Sequence, residues 1–104
     1  MDQKLTMVRG DTASFGMEIM ELGQDLDTAF FTVRDGFEGN ILFQKSLDDG
    51  IVKVETGKYI CRIAPEDTAN ANAGEYYYDL EISANGDVFT VLRGILVIEH
   101  DVTY

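Results

Sequence analysis

Apolar and polar residues alternate in short stretches along most of this chain, and turn-forming residues separate the stretches. From Thr12 to Ile19, Phe15, Met17 and Ile19 fall on one face, with Ser14, Gly16 and Glu18 on the other. Lys58–Ala64 groups Tyr59, Cys61 and Ile63 in the same way. Glu75–Ser83 sets Tyr76, Tyr78, Leu80 and Ile82 inward and Tyr77, Asp79, Glu81 and Ser83 outward. A period of two over such lengths marks half-buried β-strands. Further strands are expected over Lys4–Val8, Ala29–Arg34, Ile41–Ser46 and Ile51–Val54. Asn85-Gly86 is the strongest hairpin signal, because both residues tolerate the left-handed turn that matches strand twist. It leads into Val88–Arg93 and, past Gly94, into Ile95–His100, which predicts one long final strand bent by a bulge at Gly94. Pro65–Gly74 is the one helix-compatible stretch, and without a bulky apolar stripe it predicts no more than a turn or two.

About eight or nine short strands with almost no helix predict an all-β, antiparallel sandwich or barrel. At 104 residues the whole chain, 1–104, fits a single domain, and 45% apolar residues supply its core. The formal charge of −11 changes the functional picture more than the fold. Nineteen acids against eight bases leave no Lys/Arg stripe for a phosphate backbone, which excludes nucleic acid as the expected partner. An anionic membrane surface is disfavoured for the same reason. The longest apolar run, Ile95–Ile98, is too short to span a bilayer. The start, Met1-Asp2-Gln3-Lys4, lacks the basic and apolar regions of a signal peptide, so synthesis and folding in a cytoplasm are expected. Cys61 stands alone, which rules out an intrachain disulfide or a cysteine metal site.

Candidate chemistry is sparse. Arg9-Gly10-Asp11 matches an integrin-recognition tripeptide, but in a chain of this type a tight turn around Gly10 is the better reading. Acidic pairs occur at Asp25/Asp27, Asp48/Asp49, Glu66/Asp67 and Glu99/Asp101. None has the spacing of a calcium loop, and solvated loop acids account for them, so neither metal nor cofactor is expected. His100 is the single histidine, Cys61 falls on a buried strand face, and neither sits in a nucleophile motif. The expectation is a protein that is not an enzyme.

Two resemblances sharpen this. In Asn72-Ala73-Gly74-Glu75-Tyr76-Tyr77-Tyr78, a small residue stands two places before Tyr76. This resembles the tyrosine corner of immunoglobulin-like sandwiches, whose hydroxyl ties down a crossover loop. Tyr78 takes the place of the antibody-type cysteine. The ordered landmarks Arg9-Gly10-Asp11-Thr12, Leu42-Phe43-Gln44-Lys45, Gly57-Lys58-Tyr59, Pro65-Glu66-Asp67-Thr68 and Leu96-Val97-Ile98-Glu99 extend the likeness over nearly the whole chain. Their order is similar to that of small immunoglobulin-like proteins of phages and prophages of Gram-positive bacteria, and to the N-terminal domain of phage upper baseplate proteins. The resemblance implies an immunoglobulin-like antiparallel β-sandwich and a structural or accessory role in a tail or baseplate. It also implies a place in the virion, with other phage structural proteins as partners. A carbohydrate- or cell-surface-binding sandwich module is the alternative.

Strands apolar on both faces, Ala29–Val33, Val88–Leu92 and Ile95–Ile98, fit such docking, because one face meets the core and the second needs a cover. A homo-oligomer or obligate complex is therefore expected. The candidate interaction residues are Tyr77, Phe89, Val91, Leu96 and Ile98.

Overall fold

Alternation along the chain builds strands first, and a computed structural model, which describes residues 4–18, 26–36 and 39–101, gives their extent. The strands are β1 (Leu5–Val8), β2 (Ala13–Glu18), β3 (Thr28–Arg34), β4 (Ile41–Leu47), β5 (Gly50–Glu55) and β6 (Lys58–Ile63). A single helical turn, α1 (Pro65–Thr68), precedes β7 (Gly74–Ala84) and β8 (Asp87–Glu99). The protein is all-β, as expected. The expected strand end at Ile19 and the acid Asp25 lie outside the described residues.

The β7–β8 hairpin forms where Asn85-Gly86 predicts it, with both residues in the left-handed region at φ 56° and 85°. Pairing runs from Ala84↔Asp87 to Gly74↔Ile98. Thirteen residues of β8 at about 3.3 Å each reach the molecule's long dimension of 43 Å. The last strand is continuous, but its bulge is not at Gly94. Gly94 sits in register opposite Tyr78, whereas Leu80 faces Leu92 and Glu81 faces Thr90, so Val91 is the extra residue. One inserted residue reverses the side-chain phase beyond it. Leu92, Leu96 and Ile98 consequently share the inner face with Leu80 and Tyr76, and Ile95 and Val97 turn outward. This corrects the assignment of Leu96 and Ile98 to an interaction surface, since both are 1% exposed in the core.

The strand order is β1-β8-β7-β3-β4-β5-β6-β2. Most neighbours are antiparallel, but β1 pairs with β8 and β4 with β5 in parallel. The β1–β8 departure follows from position. These strands come from opposite ends of the chain, and everything between them serves as the long connection that a parallel pair needs. The β4–β5 contact is only two residue pairs long, Ser46↔Gly50 and Leu47↔Ile51, and there the sheet turns a corner. Beyond it the sheet curls back over itself. Phe15 of β2 meets Phe31 of β3 edge to face, with ring centroids 5.1 Å apart, although the two strands stand far apart in the order. Phe31 also touches Phe43 and Tyr78, and with Val33, Ile51 and Leu80 it forms the centre of a barrel-like core.

Three polar ties close the open ends. The Tyr76 hydroxyl donates to the Asn72 carbonyl at 2.7 Å, anchoring the loop before β7. Asp67 Oδ2 accepts from the Ala64 amide at 2.7 Å and pairs with Lys45 Nζ at 2.7 Å, pinning α1 to β4. Arg9 donates through Nε and Nη2 to Asp101 Oδ1 and through Nη1 to the Ala71 carbonyl, so the turn after β1 grips the end of the last strand.

Candidate functional site

Cys61, Arg9 and Asp27 are built into the fold, and His100 stands outside it. Cys61 is fully buried, and burial pushes its thiol up to about 12, far from the thiolate that a nucleophile needs. His100 is exposed just past the end of β8. Arg9 is committed to Asp101 and Ala71, and the Gly10 amide donates to Thr68 Oγ1 at 2.9 Å, so Arg9-Gly10-Asp11 is a clasp turn. Asp27 Oδ2 accepts from the Asn85 amide at the hairpin tip. Among the described residues no group of three or more His, Cys, Asp or Glu side chains could hold a metal ion. No helix among them is long and apolar enough to cross a membrane.

What the fold does present is surface. The outer face of β8-β7-β3-β4 is built in cross-strand rows set by the register. One row is Thr90–Glu81–Phe30–Ser46, the next is Arg93–Asp79–Thr32–Gln44, and a third is Ile95–Tyr77–Arg34. Gln44 Nε2 donates to Thr32 Oγ1 at 2.9 Å and Arg34 Nη1 to the Gly39 carbonyl at 3.0 Å, which fixes two of these side chains. Between the rows lies a shallow groove of about 710 Å³, lined by Tyr77, Ile95, Lys4, Arg34, Arg93 and Asp79 among others. Three of the eight cations of a strongly acidic chain, Lys4, Arg34 and Arg93, thus line the same groove as Tyr77 and Tyr78.

Among the described residues, large apolar side chains are exposed singly at Ile41, opposite Arg34 at the edge of this face, and in pairs or more at two other places. At the turn end of the β7–β8 hairpin, Val88 is 63% and Phe89 41% exposed, and every residue from Asn85 to Thr90 is exposed. On the other half of the sheet, Val52 and Ile60 stand directly opposite each other at 55% and 43%, with Val54 beside them at 59%. Ile60 also faces Gly16 across β2, which has no side chain to cover it.

Of the five residues singled out from sequence, Phe89 is in the exposed hairpin patch, Val91 is half-buried at the bulge, and Tyr77 is half-buried in the groove wall. They do not form one cluster, and Leu96 and Ile98 belong to the core. The Val52–Ile60 pair was missed. Its signal was present in Ile51-Val52-Lys53-Val54, where apolar residues fall on both faces of a strand too short to need two buried faces. Comparison with protein-family models and with curated protein sequences finds no match to this chain.

Proposed function

We propose that this chain is a non-enzymatic docking module, an immunoglobulin-like β-sandwich serving as a structural or accessory component of a phage or prophage particle, at its tail or baseplate. The observation that carries the docking role is the pair of exposed apolar patches, Val88–Phe89 and Val52–Ile60, on different halves of the sheet. A protein that binds one ligand needs one such surface; a component held between neighbours needs more than one. The sandwich form draws support from the Tyr76–Asn72 tie, which has the geometry of a tyrosine corner. It draws support also from the two-pair joint at β4–β5, which leaves a five-strand half facing a three-strand half. The place in a particle rests on the ordered landmarks described above. The test has two arms: the mass of the purified protein over a range of concentrations, and mass spectrometry of purified particles from the producing bacterium. Assembly in solution together with presence in particles is the expected result. A strict monomer absent from particles overturns the proposal.

The groove supports the second reading, a carbohydrate- or cell-surface-binding module. Tyr77 offers a ring and Arg34 and Lys4 offer donors to a polar ligand. Saturable binding of soluble glycans that is lost in Tyr77→Ala would favour it over docking.

A further inference from the structure

The register of four strands builds one row of side chains across the outer face of the sheet. Leu5 pairs with Leu96 in parallel, so Lys4, just before β1, stands beside Ile95; Ile95 faces Tyr77, and Tyr77 faces Arg34. An aromatic ring and an aliphatic side chain, both half-buried, thus form the middle of the row, with a cation at either end. All four line the groove of about 710 Å³, a volume in the range of small-molecule sites.

Charge in this groove runs against the charge of the chain. Among the described residues that line it, Lys4, Arg34 and Arg93 stand against one acid, Asp79, on a molecule of net −11. Asp79 faces Arg93 in the neighbouring row, so the Tyr77 row itself carries cations alone. Arg34 donates through Nη1 to the Gly39 carbonyl, a neutral acceptor that orients the guanidinium without cancelling its charge. Acids return along β7 on both sides, with Glu75 one row away and Glu81 two rows away, both exposed.

We infer that this row binds an acidic sugar, a pyranose ring carrying a single carboxylate. The inference rests on the carbohydrate-binding reading and names its ligand. The apolar face of the ring lies over Tyr77 and Ile95, and the carboxylate meets Arg34 or Lys4 through charge-assisted hydrogen bonds. The Thr90 hydroxyl and the Asp79 carboxylate of the groove wall serve the sugar hydroxyls. Glu75 and Glu81 set the number of charges: one carboxylate fits between them, whereas a polyanion running along β7 meets an acid at either end.

Calorimetric titration of the full chain with a disaccharide ending in glucuronic acid, and with its twin ending in glucose, tests this. The acidic sugar should bind saturably and the neutral one about tenfold more weakly, as loss of a charged hydrogen bond implies. Arg34→Gln and Lys4→Gln should each narrow that difference, Tyr77→Ala should abolish binding of both sugars, and Val52→Lys, on the other half of the sheet, should change nothing. Each variant is compared at a retained β spectrum. Equal affinity for the two sugars, or a preference that survives both glutamine variants, overturns the acidic ligand and leaves the carbohydrate reading standing. Silence toward both sugars overturns the two together, and binding of tetraglutamate in their place assigns the groove to an acidic protein partner.

Discussion

At the level of single residues, adjacent tyrosines do different work because a strand sends them to opposite faces. Tyr76 is buried and its hydroxyl holds the Asn72 carbonyl, whereas Tyr77 forms part of the outer groove. Tyr76→Phe should therefore lower stability by about 1–2 kcal/mol through the lost hydrogen bond. Tyr77→Ala should cost less than about 1 kcal/mol, as outer-face substitutions do. Urea melts compare them, and equal losses would mean that the corner bond contributes nothing. Cys61 gives a second residue-scale check. With its thiol pushed up to about 12 by burial, a thiol reagent at mildly alkaline pH should leave the native protein untouched and label it only after unfolding. Both assignments were legible in sequence, because strict alternation fixes which side chains go inward. Leu96 and Ile98 were not. Their phase depends on the Val91 bulge, and no glycine or turn residue at Val91 announces it, while Gly94, which has the composition of a bulge, pairs in register.

Among the elements, hairpins were legible and corners were not. Asn85-Gly86 encodes its own turn, but the β4–β5 corner depends on contacts across the fold. Gly50 sits there at φ 103°, and a Cβ on it would come within 2.5 Å of Lys45 Cδ, the stem that carries Lys45 to Asp67. Gly86, at φ 85°, has nothing within 4 Å of that position. Gly86→Ala should therefore cost only the left-handed strain, about 1–2 kcal/mol. Gly50→Ala should cost more, because it must also push the lysine off its ion pair with α1. Combining Gly50→Ala with Asp67→Asn should give less than the sum of the two losses, as a shared contact requires. Full additivity in denaturant melts would show that the lysine moves aside without losing Asp67.

On the scale of the whole molecule, the parallel β1–β8 pair joins the two ends of the chain, and nothing local in either strand predicts it. Its polar counterpart is the Arg9 grip on Asp101, which spans nearly the full sequence. The Arg9 guanidinium, by direct hydrogen bonding first, holds the Asp101 carboxyl below its ordinary 3.8. Folding therefore favours the ionised acid. The stabilisation from this pair is complete above the ordinary value and is lost as pH falls through the lowered folded one. Acidification has an opposing effect in this chain, because protonating other carboxylates relieves the self-repulsion of a −11 molecule. The sign of the total is thus set by two competing changes, and a single melting curve against pH does not separate them. Arg9→Gln separates them: it removes the pair while leaving the carboxylates that dominate the repulsion. The gap in urea midpoint between wild type and Arg9→Gln should be constant at neutral and mildly acidic pH and narrow as pH falls below 3.8. High salt should shift both proteins together without closing the gap, since Asp101 is 7% exposed and screening acts chiefly on the solvated charges. A gap that stays the same into strong acid would mean that Arg9 stabilises the fold through the Ala71 carbonyl alone, and that the ends of the chain are held by β1–β8 pairing without help from charge.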